Sequence, residues 1–441
     1  MRKWIAMLLC AALTLGGAIA ETDWGAAARE LTDALLSGDY EAVAARFDED
    51  MASQLDAAAL RQTCEAVLPG MGARVGGAGA ETARADGHTV AVITEEFEAG
   101  ELTFQFVFDG EGRVAGLGMK PVMKPVSEEG PWVEHEITVQ ADPAYPLGAT
   151  LCLPEGGDEA PPPVVILAHG SGSSDRDEAA YQKRPFMDIA HGLAELGVAS
   201  LRYDKRTFVY PEAAGESGMD IDLRGELLDD VNACIELMRK DGRVDGARIF
   251  VLGHSLGGMM LPAIAAENPD LAGAISMAGS LRPLWEIVYD QNVEAAARLR
   301  AAGLSEEQRA QLDAQMESVE ADIARLRGGV SGIADGEILL GVPAAYWKSL
   351  DAYAGMKFVD ALSVPMLVLQ GSEDFQVYAD VDYPLWREAL EGHADAEFVL
   401  YEGLNHMMCP SSGIRSVEDY LTPGGVREDV IADIAAFVQA R

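Results

Sequence analysis

The sequence predicts an α/β protein: a mostly parallel, doubly wound sheet carrying a helical lid insert, preceded by a small α+β domain. Three observations carry that reading. From residue 132 onward, short apolar runs alternate with amphipathic helical patterns, and the runs are too uniformly apolar for strands with one wet face. Before residue 120 the order differs, with helical periodicities first and alternating strand patterns after them. Between about 282 and 356 the strand runs stop, and charged amphipathic sequence such as "SEEQRAQLDAQMESVEADIARLR" replaces them.

A chain of 441 residues exceeds one ordinary core, so two folded units are expected. Over 24–69, "AARELTDALLSGDYEAVAARF" and "DAAALRQTCEAVL" repeat apolar residues at helical spacing. Ser37-Gly38-Asp39 separates the first helix from the second, and Asp56 is placed to cap the third. "HTVAVITEEF", "ELTFQFVFD" and "RVAGLGM" then read as three strands joined by "EAG" and "GEG" turns, completing a domain over 21–119. The proline- and charge-rich stretch at 120–131 reads as a linker.

In the larger unit, 132–441, "WVEHEITV" and "LGATLCLP" form a hairpin pattern. The strand "VVILAH" follows, then alternating helix and strand patterns through "LAGAISMAG". After the insert the alternation resumes with "VPMLVLQG", "YPLWREALEG", "AEFVLY" and "REDVIADIAAFVQA".

Composition narrows the partners. With 33 basic and 72 acidic residues, a net charge of −39 argues against nucleic acid and anionic membrane surfaces. "MRKWIAMLLCAALTLGGAIA" has a basic start, an apolar run and small residues before Glu21, the pattern of a cleaved secretory signal over 1–20. The expected location is therefore extracytoplasmic, with no stable membrane insertion of the mature chain. Cys64, Cys152, Cys234 and Cys409 are too widely spaced for a metal motif, so buried free thiols are expected.

The chemistry gathers around "RIFVLGHSLGGMM", where a lone serine ends an apolar strand and opens a helix. A sharp strand-to-helix turn needs glycine at 253 and 257, because larger side chains would meet neighbouring backbone. The turn lifts the Ser255 hydroxyl clear of the sheet, at a helix N-terminus that favours negative charge. A serine hydroxyl needs a base. Of the seven histidines, only His393 and His406 follow Ser255. His393 sits in a polar turn, whereas His406 follows the strand "AEFVLY", at a strand's carboxyl end where sites assemble. The acid should end the preceding strand, where "GSEDFQV" offers Asp374, with Glu373 as the alternative. Backbone N–H groups of Leu256 and of Ser171, in "HGSGSSDRDE", are the candidate oxyanion donors. Trp285, Tyr289, Trp347 and Tyr353 of the insert are candidate pocket walls or ordinary packing aromatics. Asp204 and Arg206, in "LRYDKR", are placed to hold the active-site loops by ion pairs with "DRDE".

Together, "HGSGSSDRDE", "PFMDIAHGLAELGVASLRYDKRT", "GHSLGG", "GSEDFQV" and "GLNHMM" resemble a secreted bacterial branch of the α/β-hydrolase superfamily. That branch contains esterases and is similar to dienelactone hydrolases and prolyl-oligopeptidase-like serine hydrolases. The resemblance spans about residues 130–441 and implies a triad of Ser255, Asp374 and His406, agreeing with the reading above. Residues 24–119 resemble a small domain of unknown function that precedes such hydrolases. The expected activity is hydrolysis of a small-molecule ester, without metal or cofactor. A serine peptidase and a non-catalytic binding protein are the competing readings.

Overall fold

The computed structural model describes residues 23–441 apart from 86–87, 99, 124–128, 157–159, 182, 212–220, 302 and 422–423. The expected signal segment, 1–20, lies outside the described residues. The chain divides into two compact units between Lys124 and Pro125.

The smaller unit opens with helices α1 (Trp24–Ser37), α2 (Tyr40–Ala44), α3 (Glu49–Gln54) and α4 (Ala57–Met71). Each starts on an aspartate that accepts a hydrogen bond from its first turn: Asp23, Asp39, Asp48 and Asp56. Gly38, at φ 82°, ends α1 in the left-handed conformation that only glycine adopts freely. An antiparallel meander follows, in the order β1 (Arg74–Ala85), β2 (His88–Phe97), β3 (Gly100–Phe108) and β4 (Val114–Met123). β2 and β3 bury alternate residues, among them Ile93, Leu102, Phe104 and Phe106.

Two details correct the sequence reading. The meander has a fourth strand, β1, whose "RVGGAGAETARA" is too rich in glycine and alanine to show strand propensity. It is recruited by pairing along β2. β4 also continues into the stretch read as linker: Pro121 pairs opposite Leu102, which a proline tolerates because β4 is an edge strand.

The larger unit is built on strands β5 (Trp132–Val139), β6 (Leu147–Pro154), β7 (Val164–Ala168), β8 (Ala199–Tyr203), β9 (Ile249–His254) and β10 (Gly273–Met277). A short ribbon, β11 (Ile338–Leu339) and β12 (Val342–Pro343), precedes β13 (Met366–Gly371) and β14 (Ala396–Tyr401). The main sheet runs β14-β13-β10-β9-β7-β8-β6-β5, parallel except where β6 pairs antiparallel with β8 and β5. Helices α5 (Pro185–Glu195), α6 (Arg206–Val209), α7 (Asp229–Met238) and α8 (Leu256–Glu267) belong to its first half. Helices α9 (Leu284–Ala301), α10 (Glu306–Arg327) and α11 (Ala344–Ala352) form the insert; α12 (Ala379–Ala389) and α13 (Glu428–Gln439) close the fold.

Both sheet faces are covered. Phe186, Ile189 and Leu193 of α5 pack with Val430 and Ile434 of α13 in one core, while α7, α8 and Trp386 of α12 share the other. β7 has β8 on one side and β9 on the other, so the chain reverses its winding there. In open α/β sheets, loops leaving the strands' carboxyl ends diverge at such a reversal, and the crevice there is the usual place for a site. No strand was expected within the insert, yet β11 and β12 pair around Leu340 and Gly341, both at positive φ. Two-residue strands carry too little periodicity to be seen. No described helix is long and apolar enough to cross a membrane.

Candidate active site

The elbow after β9 is set by three glycines. A Cβ at Gly253 would fall 2.3 Å from the Gly257 carbonyl group, and one at Gly257 would fall 2.4 Å from the Ala168 oxygen. At Gly258 it would approach the Gly253 oxygen and Gly279 at 2.9 Å. With those side chains absent, α8 packs directly on the strand ends, and Ser255 is held at φ 51°, ψ −112°. That conformation is costly for serine, and the surrounding backbone enforces it. The Ser255 amide bonds to Met277 O at 3.0 Å, and Met259 N returns to Ser255 O at 2.9 Å.

The loop after β13 carries the acid. Asp374 is 1% exposed; its Oδ2 accepts from His406 Nδ1 at 2.7 Å and from Gln370 Nε2 at 2.9 Å. Its Oδ1 accepts the amides of Gln376 and Val377 at 2.8 and 2.9 Å. Glu373 takes no part in this and uses its backbone amide on Leu404 O. A Cβ at Gly371 would fall 2.3 Å from that same Leu404 oxygen, so the acid loop and the His406 loop lie in backbone contact.

Asn405 shapes the histidine loop. Fully buried, it accepts from the amides of Met407 and Cys409 and donates to Asp419 Oδ2 at 2.7 Å. His406 lies beside the elbow: its ring centroid is 4.7 Å from that of His254, whose Nε2 donates to His406 O at 3.0 Å. His393 stays in its polar turn, where its Nδ1 accepts the Asp395 amide at 3.3 Å.

The loop after β7 approaches from the other side of the crevice. A Cβ at Gly170 would lie 3.1 Å from the Ser255 Cβ. The loop is gripped from beneath by Lys205, fully buried, whose ammonium donates to Gly170 O, Gly172 O and Glu226 Oε1, each at 2.7 Å. In a trans peptide the N–H points opposite the preceding carbonyl. Turning Gly170 O onto Lys205 therefore aims the exposed Ser171 N–H away from the lysine. Leu256, fully buried, supplies the first N–H of α8.

The expected ion pairs with "DRDE" are half present. Asp204 binds Arg176 through both oxygens, at 3.1 and 2.7 Å. Arg206 instead donates to Asp230 at 2.6 Å and lies over the Tyr145 ring, because α6 turns it toward α7.

The insert is tied to these loops. Gln291 of α9 donates to Gln376 O at 3.2 Å, and Glu294 accepts from Tyr378 Oη at 2.6 Å and Arg415 Nε at 3.1 Å. Trp285 and Tyr289, one turn apart on α9, are half-buried. Trp347 is 3% exposed and donates to Leu339 O at 3.0 Å, while Tyr353 Oη accepts from Arg224 at 3.2 Å. Trp347 belongs to the larger unit's core and Tyr353 packs against it, the arrangement of ordinary packing aromatics. Cys64, Cys152, Cys234 and Cys409 are all buried, and burial pushes the Cys152 and Cys409 thiols up to about 12.

A family model described as "Serine aminopeptidase, S33" matches residues 159–410. The chain belongs to this family. A second model, a protein of unknown function (DUF3887), matches residues 28–117. Esterase EstD of Thermotoga maritima is 31% identical over 347 residues, covering 78% of each chain. Among solved structures, Est1E from Butyrivibrio proteoclasticus is similar over 69% of this chain and 99% of its own, at 17% identity and a TM-score of 0.42. An acylaminoacyl peptidase from Pyrococcus horikoshii is similar over 80% of this chain and 48% of its own, at 13% identity and a TM-score of 0.44.

The S33-family unit is thus an α/β hydrolase, and the smaller unit is the separate domain that the sequence resembled. Sequence reasoning missed Gln370, Asn405, Lys205 and Glu178. A buried polar residue at a strand end carries no periodic signal, and Lys205 and Glu178 stand in "LRYDKR" and "DRDE", where the sequence reading paired only their neighbours.

Proposed function

We propose that the protein is a serine carboxylesterase that hydrolyses small to medium acyl esters through an acyl-enzyme on Ser255. The observation that carries this reading is the buried Asp374–His406 pair at 2.7 Å, held beside a serine in a strained elbow. With Nδ1 turned to Asp374, His406 keeps Nε2 for proton exchange with the Ser255 hydroxyl. Ser255 attacks the ester carbonyl as His406 takes its proton, and Asp374 stabilises the imidazolium. The amides of Leu256 and Ser171 stabilise the oxyanion. The imidazolium then protonates the departing alcohol, and water activated by His406 releases the acid.

EstD is named an esterase, which supports an ester as substrate. The aminopeptidase description of the family favours one second reading, cleavage of a peptide bond at the same serine. The 1–20 segment supports export of the mature enzyme.

Hydrolysis of a chain-length series of p-nitrophenyl esters, beside chromogenic peptides, tests the proposal with wild type and Ser255→Ala. The expected outcome is ester turnover that falls by roughly 10⁵–10⁶ in the variant. Peptide turnover without ester turnover would sink the esterase reading, and undiminished turnover by Ser255→Ala would sink the acyl-enzyme.

A further inference from the structure

Behind the site lies a second histidine–carboxylate pair that the mechanism above leaves unused. Glu178 Oε1 accepts the Gly170 amide at 2.6 Å, and Oε2 lies 2.8 Å from His254 Nδ1, at ion-pair distance but out of hydrogen-bond alignment. The other ring nitrogen, Nε2, is on His406 O at 3.0 Å. Glu178 is 8% exposed and His254 3%. Glu178 also sits at φ 52°, a conformation a glutamate adopts only when its surroundings require it.

Both ring nitrogens of His254 therefore face oxygens. A backbone carbonyl can only accept, and so can an ionised carboxylate. A neutral imidazole has one N–H, so one contact would set a lone pair against a lone pair. So close a buried approach favours opposite charges, with His254 protonated on both nitrogens beside an ionised Glu178. We infer that Glu178 and His254 form a buried ion pair that positions the oxyanion loop and the His406 loop against the nucleophile elbow. It rests on the triad proposed above. The pair touches no reacting atom and acts through Gly170, His406 O and its own place in the elbow.

The charged and titratable groups facing the pair agree with this assignment. His169, at the end of β7, donates Nε2–H to Asp175 O, and burial lowers its pKa to about 4, so it stays neutral. Burial keeps the Tyr203 phenol protonated. Asp175 and Lys205 lie beside the β7 loop, with Asp374 and His406 on the far side. Burial alone would lower the His254 pKa, but Glu178, with help from His406 O and Asp374, raises it above its ordinary 6.5. Burial opposes ionisation of Glu178, but His254, with help from His169 and the Gly170 amide, outweighs it, so that carboxyl falls below its ordinary 4.5. Glu178's contribution is present above pH 4.5 and lost as pH falls through its depressed value. That of His254 is complete below pH 6.5 and lost as pH rises through its raised value. The pair is intact between the two, and its deprotonation imposes an alkaline limb on kcat.

Two variants separate positioning from mere support. Glu178→Ala removes the link, and kcat should fall by about tenfold or more while KM changes by less than about threefold. Glu178→Gln offers a neutral network: its oxygen accepts Gly170 N–H, its amide donates to Nδ1, and neutral His254 keeps Nε2–H on His406 O. That variant should recover part of the kcat lost by Glu178→Ala and lose the alkaline limb. Wild-type kcat and an unchanged pH profile in both variants would overturn the pair. ¹⁵N-histidine NMR of the wild type, with His254 assigned through His254→Gln, reads the ring directly even if a variant misfolds. A ring that titrates above 6.5 is expected, and one already neutral at pH 6 overturns the inference. A fluorophosphonate probe tests the underlying triad separately: labelling at Ser255 supports it, and labelling elsewhere removes the triad while the NMR result still judges the pair.

Discussion

Asp374 holds its geometry through four neighbours, the Gln370 amide, the amides of Gln376 and Val377, and His406. Asp374→Asn would keep the volume and turn an N–H toward His406, favouring the wrong tautomer. We expect kcat to fall by roughly 10³–10⁴ with the urea midpoint changed little; near-normal turnover would move the role elsewhere. Glu373→Gln should stay within about twofold of wild type in the same assay, because its side chain lies outside that network. Within "GSEDFQV" the sequence favours Asp374 but leaves the adjacent Glu373 open. Only the turn after β13 decides that residue 374 points into the crevice.

At the scale of elements, the elbow and the β7 loop depend on features of opposite kinds. Gly257→Ala would place a methyl 2.4 Å from the Ala168 oxygen, and backbone cannot swing aside as a flexible side chain can. β7 and α8 would have to separate, costing about 1–3 kcal/mol of stability by urea unfolding and lowering kcat as well. Lys205 is a hub instead. It joins Gly170 and Gly172 to Glu226, and Glu226 in turn accepts the Tyr346 hydroxyl of α11. Lys205→Met would leave Glu226 buried without its cation, so a loss of about 3–5 kcal/mol is expected in urea unfolding. A loss under about 1 kcal/mol would show that Glu226 takes up a proton at little cost. The glycine requirement was legible because sterics are local. The lysine's role was not, since its partners lie 21 to 35 residues away along the chain.

For the whole molecule, the division between Lys124 and Pro125 sets a clear expectation. The catalytic loops follow β7, β9, β13 and β14, all within the larger unit. A chain of residues 125–441 should hydrolyse p-nitrophenyl esters within a few-fold of the full protein. A folded but inactive truncation would make the smaller unit part of the site. The sequence by itself determined the order of the main-sheet strands and their helices in the larger unit, and the elbow at Ser255. Both follow from local causes, the burial of continuous apolar strands and the space that only glycine leaves. It hid β1, whose glycines and alanines show no preference until β2 offers a ladder. Tertiary structure alone turned Asp374, the sequence's choice over Glu373, onto His406 and packed Trp347 and Tyr353 with the core. It also brought Glu178, His254 and the His406 carbonyl together across 228 residues of chain, from three loops. Buried charge is decided by which partners meet, and nothing in the order of residues along the chain records that meeting.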